Sequence, residues 1–148
     1  MSIQERRAIV SIISSIVITA IYTSVMLQRY PEVSAYSPEV FRFWGFFIMI
    51  LIPVSVVAQI IISIVFSIIN TIATRENEPS ITDERDRLIG LKATRNAMVV
   101  FIFGFLLAMF SQVIELPPST MFIFLIGAGF VSSLVTDISQ FYFYRRGY

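Results

Sequence analysis

The chain has 148 residues, of which 56% are hydrophobic and only 14% are charged, and its formal net charge is +1. Since soluble globular proteins carry about 25% charged residues, this composition excludes an ordinary soluble domain. The sequence contains neither cysteine nor histidine, which excludes disulfides, thiolate chemistry and histidine-based acid–base or metal chemistry, so we expect neither an enzyme nor a bound cofactor or metal ion.

Four long apolar runs predict four membrane-spanning helices. A helix needs about 20 apolar residues to cross roughly 30 Å of hydrocarbon. The predicted spans cover residues 8–27, 43–73, 97–114 and 120–143, and a charged helix at 81–96 joins the second span to the third. The sequence therefore predicts an all-α polytopic membrane protein, a single domain (1–148) in which two helical hairpins form a four-transmembrane-helix bundle.

The first span follows a basic start at Glu5-Arg6-Arg7. Signal peptides also begin this way, but the apolar run here is longer than a signal peptide's apolar region, so we predict an uncleaved span. Four hydroxyl residues recur every four positions and share one face of this helix, which indicates the side that packs on other helices. They are Ser11, Ser15, Thr19 and Thr23.

The second helix is predicted to begin at Ser37-Pro38-Glu39, where serine can cap, proline suits the first turn and glutamate favours the positive helix end. Polar residues again recur every four positions along it. They are Ser55, Gln59, Ser63, Ser67 and Thr71. Gln59 lies near the middle of the span, and we expect its amide to find a partner inside the bundle because hydrocarbon offers none.

Residues 81–96 form the only charge-dense segment. This helix either continues straight into the third span or bends at Gly90 and lies on the membrane surface. One interpretation is a solvated, self-paired helix, because charge runs usually are solvated faces. The other places one of two mixed faces against the spans. The first face contains Arg85, Leu88, Lys92 and Arg95, and the second contains Asp86, Ile89, Ala93 and Asn96.

The acidic residues Asp83, Glu84 and Asp86 suit a helix N-terminus, and they lack the ligand spacing of a calcium loop. With Ile89 and Lys92-Ala93 they form the pattern D-E-R-D-x-x-I-x-x-K-A. In this the chain resembles a family of small four-span prokaryotic membrane proteins of unknown function that carries the pattern between its second and third spans. The resemblance covers most of the chain and implies the same layout. Some members are thought to be encoded beside small helix-turn-helix regulators, which implies a regulatory setting.

The fourth span follows a turn at residues 115–119. Small residues form two ridges on it and predict close helix contacts. The first ridge contains Ala128, Ser132 and Thr136, and the second contains Gly129 and Ser133.

Asp137 is the only acidic residue well inside an apolar run. An ionised carboxylate is costly there, so it pairs, contacts water or is protonated. We predict that it pairs with Arg95, with Asn96 and Gln140 nearby, as a structural clamp in preference to a proton relay.

Nine of the eleven Lys and Arg residues lie in the N-terminal, central and C-terminal segments. By the positive-inside rule, both termini and the charged helix are cytoplasmic, and we predict a multi-pass protein of the inner (cytoplasmic) membrane.

Two functions are consistent with these features. The first is a non-enzymatic accessory or regulatory subunit that acts through the charged helix, with the lipid bilayer and a membrane-protein partner or a second copy as its partners, and without direct contact to nucleic acid. The residues predicted to have structural or interaction roles are Asp83, Glu84, Arg85, Asp86, Lys92, Arg95, Asn96, Asp137 and Gln59. The alternative is a small homo-oligomeric transporter with a pathway lined by Gln59, the serine ridge and Asp137. A transporter exposes Asp137 to water, whereas an accessory subunit keeps it buried in a pair.

Overall fold

A computed structural model of the protein describes residues 3–74 and 84–146. These residues form four helices and no strands, and each helix is long and apolar enough to cross a membrane. The helices are α1 (Ile3–Leu27), α2 (Pro38–Thr74), α3 (Glu84–Val113) and α4 (Pro118–Arg146). The predicted all-α membrane protein with four transmembrane helices is confirmed. Asp83 lies outside the described residues.

The helix termini follow from local chemistry. The Glu39 amide donates to the Ser37 hydroxyl at 3.3 Å, as predicted for the start of α2. The 37 residues of α2 correspond to a length of about 55 Å, which exceeds the hydrocarbon thickness of about 30 Å.

After α3, Glu115 adopts a left-handed conformation with φ 59°, and the Leu116 amide donates to the Ser111 carbonyl at 3.0 Å. Such a turn ends a helix by placing one residue in the left-handed conformation, a position where glycine is more common.

From Glu84 onward, the charged segment is the first part of α3 rather than a connecting helix of its own. A single helix runs from Glu84 to Val113 and passes Gly90 without interruption. Of the two arrangements considered for this segment, the structure therefore has the straight one. The charged side chains consequently share one axis with the third span.

The helices alternate in direction, and α4 has the most neighbours. It packs extensively on α3 and also contacts α1 and α2. Within the described residues, the backbone of α3 closely approaches only that of α4, and α2 packs mainly on α1. The second and third helices are consecutive in sequence but are therefore separated by a gap.

The α3–α4 contact is formed by small residues. Gly104 lies directly against Ala128, and the Ser132 hydroxyl donates to the Ala97 carbonyl at 2.8 Å. The predicted first ridge of α4 thus does bring two helix backbones close together. Small side chains allow the two backbones to approach each other, and the Ser132 hydroxyl has its hydrogen-bond acceptor within the contact.

Aromatic residues join α1, α2 and α4 at the opposite end from the charged segment. Trp44 and Phe47 are buried, and Trp44 stacks on Phe122 with the ring centroids 6.0 Å apart. The Tyr22 hydroxyl donates to the Phe47 carbonyl at 2.8 Å. This cluster anchors the helices to one another, because aromatic rings bury a large area with few rotatable bonds.

Most of the outer surface is apolar. Between Phe47 and Asn70, no side chain of α2 is buried. An exposed apolar face of this extent is a liability in water. It costs nothing in lipid, where the acyl chains are as apolar as leucine.

Candidate functional site

A polar cavity of about 420 Å³ lies where the starts of α1 and α3 meet the ends of α2 and α4. We call this end of the bundle the basic end, because it carries Arg6, Arg7, Arg85, Arg145 and Arg146. All four helices contribute to the cavity wall. Its polar lining includes Arg7, Ser11, Gln59, Asp86, Asp137 and Gln140.

Asp137 is half-buried in the wall of this cavity. The Ser11 hydroxyl donates to its Oδ2 atom at 2.8 Å and so links α1 to α4. An ionised carboxylate can accept about four hydrogen bonds. One serine hydroxyl therefore leaves most of the accepting capacity of Asp137 for a molecule in the cavity.

The predicted ion pair between Asp137 and Arg95 is not formed among the described residues. Arg95 is exposed and lies outside the cavity lining. Its position on α3 explains why: the side of the helix that carries Arg95 is turned away from α4. The hydrogen-bond partner of Asp137 is Ser11 on α1. A search for an oppositely charged residue could not have identified it.

The structure selects the second mixed face of the charged segment as the packed one. Ile89 is 2% exposed and Ala93 is 0% exposed, and the Asn96 amide donates to the Ser139 hydroxyl on α4 at 3.3 Å. Three members of the first face are exposed, namely Arg85, Leu88 and Arg95. Apolar side chains decide this choice, since Ile89 and Ala93 can be buried without leaving a charge unpaired.

Three further residues of the charged segment lie at its edges. Lys92 is half-buried, with its ammonium 5.9 Å from the centre of the Phe143 ring. Asp86 accepts a hydrogen bond from Tyr144 at the cavity, and Arg7 and Arg85 are close enough to act on the tyrosine electrostatically. Glu84 is exposed. Asp86 and Lys92 thus attach this segment to α4, while Glu84 extends into the surroundings.

Gln59 has the partner that its position in the membrane requires. Its amide donates to the Ser15 hydroxyl on α1 at 2.7 Å, which confirms the expected contact inside the bundle. Two polar ridges, one on α1 and one on α2, meet in this bond. Because the Ser15 hydroxyl accepts this hydrogen bond, the Gln59 amide has a polar partner within the predicted span and does not face lipid unpaired.

A second cavity, of about 500 Å³, begins on the other side of Gln59. It lies among α1, α2 and α4, with Phe101 of α3 at one side, and its walls are mainly apolar side chains. They include Ile48, Leu51, Ile52, Phe101, Leu125 and Ile126. Gly129 and Ser133, predicted as a second helix-contact ridge, are instead exposed and line this cavity.

Sequence reasoning did not assign Arg7 or Tyr144 to a site, although both line the polar cavity. Helical spacing carried a signal for each. Arg7 lies four residues before Ser11, and Tyr144 lies seven residues after Asp137, so each shares a face with a residue that was singled out. Extending both polar ridges by one or two turns would have included them.

Comparison with protein-family models, curated proteins and solved structures found no match for this chain. The resemblance of the D-E-R-D motif therefore stays a prediction.

Proposed function

We propose that the protein is a small membrane transporter that binds a small cationic or hydrogen-bonding solute at Asp137. The observation that carries this proposal is the position of Asp137, which lies inside a predicted span and in the wall of a polar cavity, with one serine as its hydrogen-bond donor. Intramembrane carboxylates are rare and typically mark solute or proton pathways.

The lining supports a solute of this class. Asp86 and Asp137 provide negative charge, and the cations Arg7 and Arg85 lie near Tyr144 and are exposed. The Gln59 and Gln140 amides can donate and accept hydrogen bonds. The cavity volume of about 420 Å³ is typical of small-molecule sites, which range over roughly 300–1,000 Å³. A small molecule fits this space and a macromolecule does not.

Cysteine labelling tests whether water and cations reach the cavity. Since the sequence has no cysteine, single variants can be labelled without background. Gln140→Cys places a thiol in the cavity, and Ile138→Cys is the matched control, because Ile138 is exposed on the outer surface of α4 at nearly the same depth. We expect a cationic, membrane-impermeant thiosulfonate to modify Gln140→Cys and to leave Ile138→Cys unmodified.

The same experiment tests the charge of the cavity. Adding Asp137→Asn to Gln140→Cys is expected to slow the cationic reagent several-fold relative to an anionic reagent of similar size, because the attracting charge is removed. If Gln140→Cys is as unreactive as Ile138→Cys, the cavity is closed to water and the transporter proposal falls.

Transport is tested in proteoliposomes on a solid-supported membrane, with concentration jumps of methylammonium and choline. We expect a transient current for at least one of these cations and its loss in Asp137→Asn. Glu115→Gln is the control, since Glu115 is an exposed carboxylate at the opposite end of the bundle. Both variants must retain the helical circular-dichroism spectrum. Equal currents in Asp137→Asn and the unmodified protein would refute a role for Asp137.

The basic end is proposed to face the cytoplasm, with the protein in the inner membrane of a prokaryotic cell. The charge distribution supports this, because among the Lys and Arg residues that the structure describes, only Arg29 and Arg42 lie toward the opposite end. An impermeant thiol reagent should label Arg146→Cys in inverted membrane vesicles and Val33→Cys in intact cells. The reverse pattern would contradict the orientation.

An accessory subunit is the second candidate, and one surface feature favours it. Leu88 and Leu91 are 58% and 61% exposed although they precede the predicted third span, beside exposed Arg87 and Arg95. Leu88 and Leu91 lie on successive positions of one helical face and form an apolar patch rimmed by charges, and such patches mark interaction surfaces.

A photo-crosslinking amino acid at position 88, with position 102 in the lipid-facing part of α3 as control, tests the accessory function in native membranes. We expect one heterologous protein crosslinked at position 88 and lost on Arg95→Glu. Crosslinking only to lipid at both positions would exclude this second candidate.

A further inference from the structure

The two cavities share one residue. Gln59 lines both of them, and its hydrogen bond to Ser15 lies at their junction. The cavity on the basic side of Gln59 contains two carboxylates, and the cavity on the other side is mainly apolar. The molecule therefore holds a charged space and a hydrocarbon-like space end to end.

The dimensions of this pair can be read along α4. Asp137 lines the polar cavity, whereas Ser133, Gly129 and Leu125 line the apolar one on successive turns of the same helix. Twelve residues separate Asp137 from Leu125, which corresponds to about 18 Å along the helix axis. One leaflet of bilayer hydrocarbon is about 15 Å thick, so the pair has the length of a polar head with one attached alkyl chain.

The gap between α2 and α3 provides a side entrance. The backbones of these helices do not approach each other closely in the described part of the chain, and Phe101 of α3 lines the apolar cavity together with Ile52 and other residues of α2. A hydrocarbon chain can therefore enter sideways from the lipid, while its head group enters the polar cavity. A solute without a hydrocarbon tail would leave the apolar cavity unused.

We propose that the two cavities form one binding site for a cationic amphiphile, whose ammonium-type head lies at Asp137 and whose alkyl tail fills the apolar cavity. This inference rests on the proposed function and specifies its substrate class. A cationic head fits at Asp137, because its hydrogen-bond partner is the neutral Ser11, and an anionic head would meet like charge there. The arginines Arg7 and Arg85 are exposed and lie near Tyr144, seven residues along α4 from Asp137. Gln59 and Ser15 lie where the head joins the tail.

Protection of single cysteines from N-ethylmaleimide tests this proposal in purified protein reconstituted in nanodiscs. Gln140→Cys reports on the polar cavity. Gly129→Cys reports on the apolar cavity, where a Cβ atom at Gly129 would have no neighbour within 4 Å. Ile123→Cys on the lipid-facing surface of α4 controls for partitioning of the probe into the bilayer. The probes are dodecyltrimethylammonium, tetramethylammonium and dodecanol.

We expect dodecyltrimethylammonium to protect Gln140→Cys and Gly129→Cys over the same concentration range and to leave Ile123→Cys reactive. Asp137→Asn is expected to raise the half-protecting concentration at both positions by tenfold or more. Tetramethylammonium should protect Gln140→Cys alone, and dodecanol should protect Gly129→Cys alone.

Protection of the two positions over different concentration ranges would overturn the single-site proposal, as would an Asp137→Asn effect confined to Gln140→Cys. In either case, protection of Gln140→Cys by tetramethylammonium would leave the transporter proposal standing. If neither cation protects Gln140→Cys, both proposals fall.

Discussion

The contact between Gly104 and Ala128 makes the α3–α4 interface sensitive to a single methyl group. A Cβ atom built on Gly104 would overlap the Cβ of Ala128 and approach its Cα to 3.1 Å. The obstructing atoms belong to the Ala128 backbone and to the first atom of its side chain, so no flexible side chain can move aside. The Gly104→Ala change can be accommodated only if the two helices separate.

The expected cost follows from two opposing terms. Overpacking of a tight contact costs about 1–3 kcal/mol, and replacing a helical glycine by alanine returns up to about 1 kcal/mol. Because the obstructing atoms cannot move aside, the overpacking cost falls in the upper part of its range, about 2–3 kcal/mol, and we expect Gly104→Ala to lower the free energy of unfolding by about 1–2 kcal/mol. Adding Ala128→Gly moves the methyl group from one helix to the other, and most of this loss should then be recovered.

Unfolding in mixed micelles with increasing dodecyl sulfate, followed by far-ultraviolet circular dichroism, measures these free energies. Gly129→Ala is the matched control on α4, because a Cβ atom there would meet no atom within 4 Å. Its stability should equal or exceed that of the unmodified protein. Unchanged stability of Gly104→Ala, or a failure of Ala128→Gly to rescue it, would refute the close-contact explanation.

Three further predictions concern polar contacts and one helix terminus, all measured by the same unfolding assay. Asp137→Asn and Arg95→Gln should have effects on the free energy of unfolding that add within about 0.5 kcal/mol, because the residues do not contact each other. A coupling energy above about 1 kcal/mol would show that the two residues do form an ion pair. Ser132→Ala should cost about 0.6 kcal/mol, as interhelical hydrogen bonds in membranes do on average, whereas Ser133→Ala, which lines the apolar cavity, should cost nothing measurable. Glu115→Gly should stabilise the protein by roughly 1 kcal/mol, since its φ of 59° strains residues other than glycine, and Glu115→Ala should bring no gain.

The apolar runs were sufficient to predict the helices. An interruption of the hydrogen-bonded backbone is prohibitive in hydrocarbon, so a run of about 20 apolar residues has one outcome, which is a helix. The start of α2 at Ser37-Pro38-Glu39 could be placed because capping depends on residues that are adjacent in sequence. The junction at Gly90 could not, because straight and bent continuations satisfy the backbone equally well.

The polar ridges were predicted as faces but not as contacts. Spacing by four residues placed Ser11 and Ser15 on one side of α1, and both do point into the bundle. Which residues they meet depends on the neighbours of α1, and periodicity within one helix carries no information about its neighbours. Asp137 was therefore assigned to Arg95 by charge, whereas the packing of α1 on α4 brings Ser11 to it.

The sequence by itself determined that the chain is a helical membrane protein with four spans, which ends carry the positive charge, and that one carboxylate lies inside a span. These properties follow from composition along the chain. The free energy of transferring a segment from water to lipid depends on the residues of that segment alone. Only the tertiary structure decided that α4 packs on all three other helices, that α2 and α3 stay apart, and that two cavities meet at Gln59. Helix neighbours in lipid are selected by close van der Waals contact and hydrogen bonding between distant segments, and those terms exist only once the helices are packed.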